Sequence, residues 1–207
     1  MESIVAVRVR YSKRAELERV LRCLKIADWY RENGYRIVLP KGLVVGKTYR
    51  RDRVERAVEK EYREKDYDAA AKVIETAWKR VSGRFVRALM RDGIPFLNEY
   101  TVQLTKYGTR GSYNPPKGIV INIDREDMDI GRTLRHEIIH LIIHKDIQRY
   151  KISHWKKERL VDLICRKIVG RGYRMQTIAE VDPRVDACFN EYYPDLSRVI
   201  RAMKPSL

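Results

Sequence analysis

Over the first 46 residues the apolar positions change period twice. Ile4, Ala6 and Val7 stand among charged neighbours over residues 2–11, which predicts a strand. Leu17, Val20, Leu21, Leu24 and Ile26 recur near helical spacing, which predicts a helix over residues 14–33 ended by Gly34. Residues 35–39 read as a second short strand stopped by Pro40, and residues 42–46 as a loop. Together these make a small β-α-β unit. Its role is not visible in the residues.

From Asp52 to Met90 the pattern is helical, with a break expected near residues 66–68. The second part carries an apolar stripe of Ala70, Val73, Ile74, Ala77, Val81, Phe85 and Leu89, suited to packing on a sheet. Residues 98–123 read as a hairpin of two strands, 100–105 and 118–123. Its long middle has room for a third, edge strand around residues 111–114. A helix follows from near residues 129–133 to Lys145, its buried side formed by Leu134, Ile138, Leu141 and Ile142. After a loop, another helix starts at the N-cap candidate Ser153 and runs to about Val169. One more helix is expected at residues 195–203. The sum is an α+β fold: a small mixed sheet backed by helices, plus an extra N-terminal α/β segment. Residues 1–66 form that segment with its charged helix; residues 67–207 form the main domain, with a tail over 175–207.

Composition narrows the classes. No run of 18 apolar residues occurs, so no membrane-spanning helix is expected. The N-terminus lacks a signal-peptide pattern. Cys23, Cys165 and Cys188 are too few and too scattered for a disulfide framework, which favours a reducing, cytoplasmic setting. Charged residues make up 35% of the chain, above the ordinary level of about 25%, a thermophile-like composition. The net charge of +16 favours acidic partners, nucleic acid among them, although no nucleic-acid motif accompanies it.

The chemistry is concentrated in one place. The four histidines, His136, His140, His144 and His154, all fall between positions 136 and 154. On a helix, His136 and His140 sit one turn apart on one face and can share a cation. Glu137 is offset by about 100° and can reach a water held there. Two ligands and one general base is the division of labour of the H-E-x-x-H zinc motif. The third ligand is sought on the next helix. Glu158 lies just over a turn into it and His154 one turn earlier; both are candidates, and Glu158 is the better placed. Asp162, one turn beyond Glu158, is spaced to accept the outer N–H of His136 or His140. His144 is excluded, being about 12 Å from His136 along the axis.

His136-Glu137-x-x-His140 with Glu158-x-x-x-Asp162 resembles the gluzincin metallopeptidases, the thermolysin-like clan, and is most similar to its small archaeal members, the minigluzincins. The likeness covers about residues 68–170. The stretch from Leu104 to Tyr113 also resembles the strand and rim that precede the motif in that clan. The resemblance implies a zinc peptidase, an endopeptidase acting on peptides or proteins, with one zinc per chain held by His136, His140 and Glu158. It implies Glu137 as general base and makes latency through the C-terminal segment an expectation. Larger members of the clan supply an oxyanion donor from further along the chain. No histidine follows His154 here, so the donor candidates are His154, Tyr150, Tyr113 and Arg149. Gly111, Ser112 and Tyr113 are the candidate edge on which an extended peptide would add a strand. The alternative reading is a regulatory or nucleic-acid-associated protein that keeps this fold, supported by ten Lys or Arg over residues 145–174.

Overall fold

Val7 and Val9 face the main core from a short strand whose intervening residues, Ala6, Arg8 and Arg10, face solvent. This strand, β1 (Ala6–Arg10), opens the described chain. The computed structural model describes residues 5–124, 129–178 and 181–204, so the start of the strand expected over residues 2–11 lies outside them. The elements that follow are α1 (Lys13–Lys25), α2 (Ala27–Glu32), α3 (Arg51–Glu61) and α4 (Glu64–Arg91). Then come β2 (Glu99–Thr105), β3 (Gly111–Asn114), β4 (Gly118–Asn122), α5 (Ile130–Arg149), α6 (His154–Val169), α7 (Pro183–Tyr192) and α8 (Leu196–Ala202). The architecture is α+β, with one small mixed sheet backed by helices. No helix among the described residues is long and apolar enough to cross a membrane.

The sheet order is β1-β2-β4-β3. β1 pairs parallel with β2, setting Val7 beside Tyr100 and Val9 beside Val102. β2 pairs parallel with β4, and β3 pairs antiparallel with β4. Two expectations are corrected here. The hairpin is formed by β3 and β4 alone, because β2 and β4 run the same way. Residues 35–39 do not form the second strand of a β-α-β unit; they make a single antiparallel bridge, Val38 to Gly108. The parallel partner of β1 is β2, and α1 to α4 form the crossover that parallel strands require. The boundary drawn at residue 66 falls inside α4.

Helix boundaries also moved. The helix expected over residues 14–33 divides at Ile26 into α1 and α2. The break between α3 and α4 lies at Tyr62 and Arg63, both extended, ahead of the acidic cluster. Glu64 and Asp66 occupy the first turn of α4, where carboxylates favour a helix start through the dipole. Val73, assigned to the buried stripe, is exposed; Trp78 and Val86 are buried in its place. The tail contains α7 as well as α8. Asp182 caps α7 and Pro183 occupies its first turn, a helix-start signature.

The main core lies between the sheet and α4, α5 and α6, and takes in α7 and α8. A second cluster of Leu17, Val20, Leu43, Val54 and Val58 is closed by Tyr107, from the link between β2 and β3. At the junction, Glu16 of α1 is fully buried. It accepts hydrogen bonds from the hydroxyls of Tyr67 and Thr105 and from the Lys106 amide. The N-terminal helices are thereby tied to β2 and α4.

Candidate metal centre

α5 begins at Asp129, whose side chain accepts from the Arg132 amide at 2.9 Å. Its buried face is Leu134, Ile138, Ile139, Ile143 and Ile147; Leu141 and Ile142, assigned to that face from the sequence, are only half-buried. The burial of Ile147 carries the helix on to Arg149, past Lys145. α6 starts where expected, after Ser153, whose hydroxyl makes no capping bond.

This pair of helices brings His136, His140 and Glu158 together. His136 Nε2 and His140 Nε2 are 3.1 Å apart, and each lies 3.3 Å from Glu158 Oε2. Tetrahedral zinc ligands at about 2.0–2.1 Å stand about 3.3–3.4 Å from one another. Three donor atoms of the right chemistry thus occupy three corners of a zinc-sized tetrahedron, and the residues fit a divalent ion. They form the one candidate ion-binding group among the described residues, and His154 is outside it. His144 is outside it too, its ring set edge-on against Tyr113.

The electrostatics suit such a centre. Burial disfavours a charged Glu158, but the facing imidazoles and the Lys157 ammonium overcome it and hold its carboxyl well below the ordinary range. Burial also works against charging His136. Hydrogen bonds to Cys165 and Glu158, with the charges of Glu137 and Glu158, nonetheless raise it well above the ordinary imidazole value. His140 is pushed down to about 4 by burial, against the pull of Glu158. A divalent cation bound there would displace protons from this group.

Glu137 is buried beside the trio and is pushed up to about 7, mainly by burial and further by the charge of Glu158, against the pull of His136. Its carboxylate rests on the backbone of β3: a Cβ at Gly111 would lie 2.6 Å from Glu137 Oε1 and 2.8 Å from Thr133 Cγ2. Gly111→Ala should displace the Glu137 carboxylate while leaving His136, His140 and Glu158 in place. The expected result is unchanged zinc content with any zinc-dependent hydrolysis lowered about 10- to 100-fold, the scale of a 1 Å misplacement of a reacting group. A wild-type rate in Gly111→Ala would show that the contact does not position Glu137.

Asp162 is fully buried behind His136. Its Oδ1 lies 3.6 Å from His136 Nδ1. A tyrosine joins the two: Tyr173 Oη donates to Asp162 at 2.9 Å and lies 3.2 Å from His136 Nδ1. His140 Nδ1 is buried without a partner among the described residues.

The remaining candidates divide. Tyr113 stacks on His140, with ring centroids 4.7 Å apart, and Lys157 Nζ lies 5.5 Å from the centroid of the Tyr113 ring. β3 is the sheet edge, as expected, with Gly111 over Glu137 and Tyr113 over His140. Ser112 Oγ is buried and unpartnered among the described residues. His154 flanks the trio, with Nδ1 3.9 Å from Glu158 Oε1 and Nε2 2.7 Å from Tyr35 Oη. Tyr150 is not at the site. It caps the far end of α5, ten residues and about 15 Å past His140 along the axis. Arg149 is there with it, its guanidinium against the Tyr150 ring.

Four residues at the site were not among those candidates. Tyr35 arrives from the N-terminal segment within an aromatic group in which it stacks on both Trp29 and Trp155. Tyr173 supports His136. Lys157 Nζ lies 3.1 Å from Glu158 Oε1. Gln176 donates its backbone N–H to Asp162 at 2.5 Å and its side-chain N–H to Glu158 Oε2 at 3.1 Å. Gly170 and Gly172 mark a chain reversal just before Tyr173, the one sequence signal that this segment could return to the helix it leaves.

No family model, curated protein or solved structure matches this chain, so the likeness to the gluzincins is one of sequence motif alone.

Proposed function

We propose that this chain is a zinc-dependent peptidase. The observation that carries the reading is the convergence of His136, His140 and Glu158 at zinc-ligand separations with Glu137 buried alongside. A zinc ion held there would supply a water activated near neutral pH and would polarise the scissile carbonyl. Glu137, titrating near neutrality, is suited to accept a proton and return it to the leaving amine. Tyr113, His154 with its partner Tyr35, and Lys157 are the donors near enough to steady a developing oxyanion. The open edge of β3 suits an extended peptide added as a further strand. Its path would cross Gly111, where the backbone can come close to Glu137.

The direct test is metal analysis. Reconstitution at neutral pH should give about one zinc per chain, and Glu158→Ala should bind zinc at least about 100-fold more weakly, with the fold retained. A protein that takes up no zinc would end the reading.

Gln176 supports a latent state. Its amide hydrogen-bonds to Glu158 Oε2 and lies 3.4 Å from His136 Nε2, on the ground a substrate carbonyl would need. Removing the tail is a poor test, since Val185, Phe189, Val199 and Ile200 belong to the core. Gln176→Ala is the better one. Losing a hydrogen bond to a charged group should raise kcat/KM about 10-fold or more on a small peptide. An unchanged rate would mean that the segment does not restrain the enzyme.

A further inference from the structure

We propose that the solvent face of α4 is a docking surface for duplex DNA, held through its phosphate backbone. This does not depend on the metal centre cleaving peptides.

α4 is a helix of 28 residues. At 100° per residue, Lys65, Lys72, Lys79, Arg80, Arg84 and Arg87 fall within a stripe about 140° wide. All are exposed, and Arg91 continues the line beside its own neighbour Asp92. The stripe lies opposite the buried face of Ile74, Trp78, Phe85 and Leu89. From Lys65 to Arg91 it extends about 39 Å, a length over which duplex DNA carries on the order of twenty charges. The acidic residues of the helix are turned aside or occupied. Asp66, at the stripe's edge, pairs with Lys106, Asp68 binds Tyr11, and Glu64 and Glu75 lie off the stripe. Lys72, Lys79, Arg80 and Arg84 have no carboxylate partner among the described residues.

Of the ten cations over residues 145–174, which the sequence first suggests as an acidic-partner surface, several are engaged within the fold. Lys156 pairs with Asp182, Lys157 with Glu158 and Arg159 with Asp186, while Lys167 lies over the Tyr193 ring. α4, by contrast, gathers seven of the chain's 44 Lys and Arg residues along one exposed face.

The shape of the stripe favours a nucleic-acid backbone over a lipid surface. Along its middle the small, exposed Ala69, Thr76 and Gly83 alternate with Lys65, Lys72 and Arg87, so a phosphate ridge meets both open backbone and cations. An interfacial membrane helix needs a large apolar face free to bury in lipid, and the apolar face of α4 is already in the core.

The test measures fluorescence anisotropy of a short labelled DNA duplex with the full chain across about 50–200 mM salt. A variant with Lys72, Lys79, Arg80 and Arg84 all changed to alanine is compared with one lacking Arg14, Lys25, Lys41 and Lys47, the same change in net charge elsewhere. The α4 variant should bind at least about 30-fold more weakly, and its log–log salt slope should flatten by about 3–4. The control should lose less than about 3-fold. Should the quadruple variant fold poorly, Lys79→Glu with Arg84→Glu should give the same loss. Absence of DNA binding by the wild type at low salt would overturn the proposal. So would equal losses in the two variants, or tighter binding to duplex RNA or to phosphatidylserine vesicles.

Discussion

Changing Glu137 to glutamine should lower peptide hydrolysis about 10²- to 10⁴-fold while zinc stays bound, the range that a positioned general base contributes. The side chain keeps its shape, so its packing against Gly111 and Thr133 should survive. It contributes no atom to the group formed by His136, His140 and Glu158, so metal content should not move. What is lost is the ability to take a proton. Glutamine also removes a buried negative charge beside Glu158, so the folded protein should be no less stable. Zinc content by metal analysis, turnover of a quenched peptide and a thermal melt on the same preparation separate these effects. Loss of zinc together with activity would mean that Glu137 is part of the ligand set. Full activity with zinc bound would remove it from the chemistry.

The second large effect concerns stability. Glu16→Ala should cost about 3–5 kcal/mol, a third or more of the stability of an ordinary domain. The carboxylate is the acceptor for the Tyr67 hydroxyl, the Thr105 hydroxyl at 2.5 Å and the Lys106 amide at 2.7 Å. Alanine would leave all three donors enclosed without an acceptor. Glu16→Gln retains an oxygen for Tyr67 and Lys106 and an amide that Thr105 can accept from, so its cost should be much smaller. The two variants should also differ from wild type in pH dependence. Burial raises the Glu16 carboxyl above its ordinary 4.5, against the hydrogen bonds of Thr105, Tyr67 and Lys106. The folded chain therefore holds this proton more tightly than the unfolded chain. The stability from that difference is fully present below the unfolded value and is lost as pH rises through the folded value. Urea unfolding at a series of pH values should show this slope in wild type and not in Glu16→Gln. An alanine variant within 1 kcal/mol of wild type at every pH, on the scale of an ordinary surface change, would show that the network carries no weight.

The two-histidine, one-glutamate geometry was legible because it depends on helix periodicity and on a short connection between two helices. One turn separates His136 from His140, and a short connection between helices leaves few places for Glu158. The placement of β3 at the edge was readable for a different reason: a four-residue stretch of Gly, Ser, Tyr and Asn has little to bury on both faces. Strand pairing was harder. Residues 35–39 are apolar enough for a strand, but what β1 needs is the alternation of Tyr100, Val102 and Leu104, far away in sequence. Tyr150 was misplaced because Ile147 is buried and keeps α5 going for a further turn. Tyr35, Tyr173 and Gln176 each reach the centre through tertiary packing, with no motif spacing to announce them. Tyr35 in particular comes from a segment to which the sequence assigned no role.

The parallel pairing of β1 with β2 has a consequence during synthesis. Ala6 meets Glu99 across the sheet. At about 5–20 residues per second, the partner strand leaves the ribosome roughly 5–20 s after β1 does. During that interval the Val7 and Val9 face has no β2 to pair with. Arg8 and Arg10, alternating with those valines, place like charges along the waiting strand. They discourage two nascent chains from joining edge to edge before the proper neighbour has been made.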